Sequence, residues 1–313
     1  ESIKPKNQLA IYGFEDNFNF FINLYKNNKL PNVILLNGPK GIGKATFVYH
    51  FVNYLLSNNE SYNYSLEKFE INPVNRSYKL LNNGIHPNFF LLNNSPLSDN
   101  IKIETVRNLL KFLSKTSYSK NIKIVFIDNA EHLNISSSNA LLKALEEPTH
   151  NTFYFITHNS SSKILDTIKS RTIQFNFFFN TFHKNKIFNQ LLNQYNLNCD
   201  SKITKDRLYF DTPGGLIKNL LLLNSENIDI ASSDLTIISH FINKYNNKKD
   251  YEMLNIVSTY IEHFFIKLSL NNTKNMNNIF FRRNQIISRI AEMKTFNLDK
   301  KNILNFLPDL LRN

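Results

Sequence analysis

The stretch 33–46 reads VILLNGPKGIGKAT, and it decides the fold of the chain. Four apolar residues lead into a glycine-rich turn that ends in Gly43-Lys44, and the helical pattern FVYHFVNYLL follows directly. Glycines let backbone N–H groups turn inward around phosphate oxygens, and the N-terminus of the next helix adds the positive end of its dipole. The order strand, glycine turn, lysine and helix therefore predicts a phosphate-binding loop.

One position in this loop departs from the usual pattern. Lys44 supplies a positive charge to the phosphates, but the next residue, where a Ser or Thr hydroxyl normally holds Mg²⁺, is Ala45. Thr46 is one helical step further on, so its hydroxyl is poorly placed to substitute. The nucleotide-binding residues predicted from the loop are Gly38, Gly41, Gly43, Lys44, Ala45 and Thr46.

Short apolar segments alternate with amphipathic helical patterns over the first part of the chain, to about residue 179. Continuous apolar runs are typical of parallel strands that helices cover on both faces, whereas the last segment alternates and suits an edge strand. The pattern predicts an α/β domain with a parallel sheet flanked by helices. The predicted strands are Val33–Leu36, Phe89–Leu92, Ile122–Ile127, Phe153–Ile156 and Thr172–Phe177.

The chain beyond Asn180 has no strand pattern. A small helical module precedes a wholly helical C-terminal region, in which apolar residues from Leu254 to Leu268 recur at helical spacing and indicate the core of a bundle. We therefore expect three domains with boundaries at 1–179, 180–228 and 229–313.

The second chemical element is the apolar strand IVFI followed by Asp128. In phosphate-binding-loop enzymes a sheet delivers such an aspartate to the Mg²⁺ position, although an aspartate that caps a helix remains the alternative. The next residue is Asn129, whose amide cannot accept a proton as a general base. Glu131 is close to Asp128 in the sequence, but the pattern does not predict where its side chain lies.

Two further segments are weak signals by themselves. Ser138–Pro148 reads SNALLKALEEP, and Glu146 and Glu147 fall in the last helical turn, where the helix dipole disfavours anions. This indicates a neighbouring cation, although surface glutamates are the commoner explanation. Arg171, in Ser170-Arg171-Thr172, is by itself typical of a solvated arginine.

Taken together, these elements resemble the bacterial DNA polymerase III clamp-loader family. The segment NALLKALEEP is very similar to the helix that follows the aspartate-bearing strand in that family. Ser170-Arg171-Thr172 is similar to the SRC motif of the family, with Thr172 in place of cysteine. GIGKAT is similar to the delta-prime branch as found in alphaproteobacteria. The resemblance covers about residues 8–180 and is weak beyond them.

The resemblance implies an AAA+ α/β domain, a small helical lid and a helical collar that holds a hetero-pentamer with gamma/tau and delta subunits. It implies that Arg171 is an arginine finger that completes the ATP site of an adjacent subunit, and that Thr157 is the sensor residue after the fourth strand. The sliding clamp and primed DNA are the further partners that it implies.

Departures from the family pattern define the expected role. The chain has Ala45 for the Mg²⁺ ligand, Asn129 for the glutamate and Gly214-Gly215 where a lid arginine is expected. We therefore expect a scaffold or stator subunit that binds ATP at most without hydrolysing it. The alternatives are an active AAA+ motor subunit and, from another class, a phosphate-binding-loop enzyme such as a nucleotide kinase.

Composition adds three expectations. The formal net charge of +12 favours a polyanionic partner such as DNA, with a lysine- and asparagine-rich composition from an AT-rich genome as the alternative explanation. The single cysteine, Cys199, excludes an internal disulfide and the four-cysteine zinc module of the family, so we expect no zinc and a structural role for His86. No membrane span and a cytoplasmic location are expected.

Overall fold

Five parallel strands form one sheet in the order β2-β3-β4-β1-β5. The computed structural model describes residues 3–94, 100–115, 122–197, 208, 211–248, 251–271 and 275–296. The strands are β1 (Val33–Gly38), β2 (Phe89–Leu92), β3 (Lys123–Ile127), β4 (Thr152–Asn159) and β5 (Ile173–Asn176). All five strands predicted from the sequence are confirmed, as is the α/β fold class.

The helices alternate with the strands and then continue alone. Those of the sheet region are α1 (Glu15–Lys26), α2 (Lys44–Ser57), α3 (Arg76–Asn82), α4 (Ile103–Ser114), α5 (Ile135–Glu146), α6 (Asp166–Lys169) and α7 (Thr181–Gln194). The later ones are α8 (Pro213–Ser225), α9 (Asp234–Lys248), α10 (Tyr251–Asn271) and α11 (Met276–Phe296).

Two hydrophobic cores cover the two faces of the sheet. On one face, α1 and α2 contribute a cluster of phenylalanines in which Phe18, Phe21 and Phe47 are fully buried and pack edge to face. On the other face, α4, α5 and α6 pack against the alternate side chains of the same strands. Since both faces are covered, the central strands are mostly apolar, which is why continuous apolar runs predicted most of them.

Strand β5 lies at the edge of the sheet and pairs with β1. Its apolar face is buried only in part: Phe175 is half-buried, and Phe177 just beyond the strand is buried, but Ile173 is 53% exposed. The alternating pattern thus predicted the edge strand correctly, but not that the apolar face opens to solvent at its first residue.

The chain divides into two compact units, Glu1–Lys218 and Asn219–Asn313. In the second unit α10 packs against α9 and α11, and the predicted apolar stripe on α10 is buried at Leu254, Val257 and Ile261 but exposed at Leu268. The three-domain division at residues 179 and 228 stays a prediction.

Candidate functional site

The loop 38–44 joins β1 to α2 and curves around the side chain of Lys44. The ammonium group of Lys44 donates hydrogen bonds to the carbonyl oxygens of Gly38, at 2.6 Å, and Pro39, at 2.9 Å. Burial lowers the pKa of Lys44 to about 8, although the charges of Glu131 and Asp128 act to raise it. The lysine therefore lies inside the loop, near both carboxylates.

The backbone of the loop depends on Gly43 directly before the lysine. Gly43 adopts φ of 108°, in the left-handed region that favours glycine, and a Cβ atom there would lie 3.0 Å from the ring of Phe14. Phe14, which belongs to the hydrophobic core, thus packs directly against the loop. A larger residue at position 43 would strain the backbone and the packing together.

The residue after the lysine does not provide a metal ligand. The methyl group of Ala45 packs against the hydrophobic core between α1, α2 and the sheet, and Thr46 follows it half-buried in the first turn of α2. The loop thus offers glycines and a lysine for the phosphates of a nucleotide, but no hydroxyl at the position that usually holds Mg²⁺.

Asp128 and Thr157 meet at the carboxyl ends of β3 and β4. The hydroxyl of Thr157 donates to a carboxylate oxygen of Asp128 at 2.7 Å and accepts the backbone N–H of Asn129 at 2.9 Å. Burial raises the pKa of the Asp128 carboxyl, whereas the bond from Thr157 and the charge of Lys44 act to lower it. The structure therefore brings together Lys44, Asp128 and Thr157, three residues that were predicted from separate segments.

Asn129 occupies the position where a catalytic base is expected, in a left-handed backbone conformation with φ of 59°. Asparagine adopts this region more readily than most residues because its short side chain forms local hydrogen bonds. A glutamate here would carry the steric cost of that conformation, which provides a structural reason for a short side chain at this position.

Glu131, which the sequence pattern did not place, lies close to the site. Its carboxylate accepts the backbone N–H of Asn159 at the end of β4, at 3.2 Å, and its charge acts on the pKa of both Lys44 and His158. The only sequence signal was its position three residues after Asp128, because the turn between them is not periodic. Glu131 is thus a second acidic residue beside the lysine loop.

The N-terminus of α8 packs against the lysine loop. The Thr212 hydroxyl donates to the carbonyl oxygen of Lys40 at 2.8 Å and accepts the N–H of Gly215 at 3.3 Å, so Thr212 caps α8 and ties it to the loop. A Cβ atom on Gly214 would lie 2.6 Å from the carbonyl oxygen of Gly41. An arginine at position 214 would not fit this contact, which explains in structural terms why none is found there.

Replacing Thr212 by valine is expected to destabilise the first unit by about 1–2 kcal/mol, because valine keeps the shape but loses the cap and the bond to the loop. The measurement is the free energy of unfolding from a urea titration. Thr212→Ser keeps the hydroxyl and serves as the control. Equal unfolding free energies for the two variants would show that the hydroxyl does not hold α8 to the loop.

Arg171 lies between α6 and β5 and does not extend freely into solvent. Its Nε donates to Oε1 of Glu146 at 2.8 Å, its Nη2 contacts the same oxygen, and its Nη1 donates to the carbonyl oxygen of Thr167 at 2.8 Å. The cation that the helix dipole indicated for the end of the Ser138–Pro148 segment is therefore Arg171, and its partner is Glu146 rather than Glu147.

The residues considered for metal binding have other surroundings. His86 accepts the N–H of Asn88 at Nδ1, at 3.2 Å, and its Nε2 lies 3.4 Å from the Ser77 hydroxyl. Among the described residues no group of three His, Cys, Asp or Glu side chains is arranged to hold a metal ion. Cys199 lies outside the described residues, and the absence of zinc stays a prediction.

In the part of the chain that the structure describes, no helix combines the length and apolar character needed to cross a membrane.

The fold and the site define a phosphate-binding-loop domain of the AAA+ type, in which the strand that carries Thr157 lies between the strands that lead to Lys44 and Asp128. The family model described as "DNA polymerase III, delta subunit" matches residues 14–180, more than half of the chain. The chain belongs to this family, and the resemblance inferred from the sequence is confirmed.

Curated relatives agree with this assignment. The DNA polymerase III subunit delta' of Pseudomonas aeruginosa is 34% identical over 140 residues, which cover 45% of this chain and 41% of that protein. The subunit of the same name from Buchnera aphidicola subsp. Baizongia pistaciae is 29% identical over 235 residues, 71% of this chain and 68% of that protein. The match to the Pseudomonas relative thus spans about two fifths of its length.

Among solved structures, a DNA polymerase III gamma subunit-related protein from Thermotoga maritima superimposes with a TM-score of 0.49 at 17% identity. The superposition covers 93% of this chain and 98% of that one.

Proposed function

We propose that the chain is a scaffold or stator subunit of a bacterial clamp loader, which lends Arg171 to the nucleotide site of a neighbouring subunit without hydrolysing ATP itself. One observation carries the proposal: three groups that hydrolysis requires are missing from its own site, whereas Arg171 is present. Ala45 has no oxygen for Mg²⁺, Asn129 has no basic group, and Gly214 has no side chain to reach a phosphate.

Binding of ATP is compatible with the same residues. The glycines and Lys44 fit the phosphates, and Lys44 would exchange its two carbonyl partners in the loop for phosphate oxygens. The nucleotide would then act as a structural ligand that is bound but not hydrolysed.

The proposed partners follow from the family. They are the gamma/tau and delta subunits in a hetero-pentamer, the sliding clamp and primed DNA, and the net charge of +12 favours association with DNA. The helical C-terminal region is the proposed collar through which the subunits associate, and the cytoplasm is the proposed location. Reconstitution with these subunits, followed by clamp loading on primed DNA, tests this part directly.

Alone, the purified chain is expected to show no DNA-stimulated ATP turnover above the background of a Lys44→Ala variant, because its site lacks both the Mg²⁺ hydroxyl and the base. The measurement is steady-state release of phosphate with and without primed DNA. Turnover of about 1 per second, the lower end of the typical range for enzymes, that disappears in Lys44→Ala would contradict the proposal.

The active motor subunit remains the second candidate because of one observation, the carboxylate of Glu131 near Lys44. If Glu131 served as the base, Glu131→Gln would abolish any turnover that the chain shows. Its bond to the N–H of Asn159 favours a structural role, since that hydrogen bond holds the carboxylate against the backbone.

A further inference from the structure

The ion pair between Arg171 and Glu146 joins two segments that the family pattern treats separately. Glu146 ends α5, and Arg171 follows α6, 25 residues later in the chain. The side chain of Arg171 is 28% exposed and that of Glu146 is 47% exposed, so both can be reached from outside the subunit. A partner that approaches this edge therefore meets a guanidinium already bound to a carboxylate.

Most of the donors of Arg171 are in use. A guanidinium has five N–H groups. One on Nε and one on Nη2 face Oε1 of Glu146, while Nη1 donates to the carbonyl oxygen of Thr167 and, at 3.2 Å, to the hydroxyl of Ser170. The second N–H of Nη2 is then the remaining one, and a single donor cannot form the bidentate contact that phosphate favours.

The charge of the pair matters as much as its geometry. An arginine finger stabilises negative charge that develops in the transition state, and a carboxylate on the same guanidinium largely cancels the field it projects. Glu146 and a phosphate of the neighbouring site therefore compete for Arg171. Because the pair is partly exposed, Arg171 can exchange Glu146 for a phosphate. An ion pair of this kind changes an equilibrium constant by about fivefold at most.

The position of Glu146 favours the closed pair when no phosphate is near. It is the last residue of α5, at the negative end of the helix dipole, and Arg171 offsets this unfavourable location. Releasing Arg171 leaves Glu146 without that compensation. In the absence of a phosphate, Arg171 therefore stays bound to Glu146 of its own subunit.

On the proposed function as a basis, we propose that Glu146 is a positioning residue that holds the finger Arg171 in its own subunit until the phosphates of the neighbouring site replace it. Glu146 acts through Arg171 and does not touch the nucleotide. The pair then limits how often the finger is available, so the neighbouring site works at its full rate only when its phosphates draw the arginine away.

The test is the ATP turnover of the reconstituted complex at limiting ATP. Glu146→Gln removes the charge and is expected to raise turnover at the site that Arg171 serves by about two- to fivefold. The increase should shrink as salt is raised, since salt already weakens the pair in the unmodified complex. Glu146→Asp keeps the charge on a shorter side chain and should give a smaller increase. Glu147→Gln is the matched control and should change nothing.

The double variant separates this proposal from the function on which it rests. In an Arg171→Ala background, Glu146→Gln should have no effect, because its only route is through the arginine. If Arg171→Ala alone leaves turnover unchanged, the proposed function fails. If Arg171→Ala lowers turnover but Glu146→Gln leaves it unchanged or lowers it, the role of Glu146 fails while the finger stands.

Discussion

Replacing Arg171 by alanine is expected to lower ATP turnover by about a thousandfold at the one site this arginine serves in the assembled complex. A guanidinium stays charged at working pH, and its planar fork matches a transferring phosphoryl group. Since the site of its own subunit lacks three groups needed for hydrolysis, the effect should appear in the neighbour. The measurement uses complexes in which only the adjoining subunit retains its loop lysine.

Two variants sharpen this experiment. Arg171→Lys should restore little turnover, because a point charge does not reproduce the fork. Lys169→Ala removes an exposed cation two residues away and should leave turnover unchanged. Folding and assembly should survive Arg171→Ala, since a partly exposed ion pair contributes about 1 kcal/mol or less. Unchanged turnover in an intact Arg171→Ala complex would mean that the arginine serves only α5.

Lowering the pH from 7 to 4 is expected to remove about 3 kcal/mol from the stability of the first unit through His50 alone. His50 lies on α2 and is fully buried. One ring nitrogen, Nε2, donates to the carbonyl oxygen of Gln8 at 3.0 Å, and Nδ1 then accepts the hydroxyl of Tyr64 at 3.0 Å. The neutral ring thus has both nitrogens satisfied.

Burial lowers the pKa of His50 from 6.5 to about 4, although the bond to the Gln8 carbonyl acts to raise it. Between these two values the unfolded chain takes up a proton that the folded chain does not, so stability falls as the pH drops from about 6.5 towards 4. Above 6.5 both states hold the neutral ring, and this contribution is constant.

The measurement is the unfolding free energy at several pH values, for the unmodified chain and for His50→Gln, which does not titrate. The unmodified chain should lose about 3 kcal/mol more than the variant between pH 7 and 4, whatever the stability of the variant at pH 7. His150→Gln changes an exposed histidine and serves as the control. Parallel pH profiles for His50→Gln and the unmodified chain would contradict the buried neutral ring.

The strands and the lysine loop could be predicted because their signals are local. Most of the strands are continuous apolar runs, and β5 alternates, which matches a sheet covered on both faces with one open edge. The absence of a hydroxyl at Ala45 and of a carboxylate at Asn129 is likewise read from single positions. Backbone geometry adds that the asparagine suits a left-handed turn, which no pattern of side chains indicates.

Contacts between distant segments could not be predicted in the same way. The hydroxyl of Thr212 meets the carbonyl oxygen of Lys40 across 172 positions of the chain, and Glu131 reaches Asn159 across 28. A glycine pair in the sequence indicated only a missing arginine, whereas the fold shows that the loop itself occupies the space beside Gly214.

The ion pair of Glu146 and Arg171 could be predicted only in part. The sequence indicated a neighbouring cation at the end of α5, with surface glutamates as the commoner explanation, because the helix dipole acts within a single segment. The packing of α5 and α6 on one face of the sheet identifies this cation as Arg171. Local patterns fix which groups a chain carries, whereas the packing of distant segments fixes which of those groups meet.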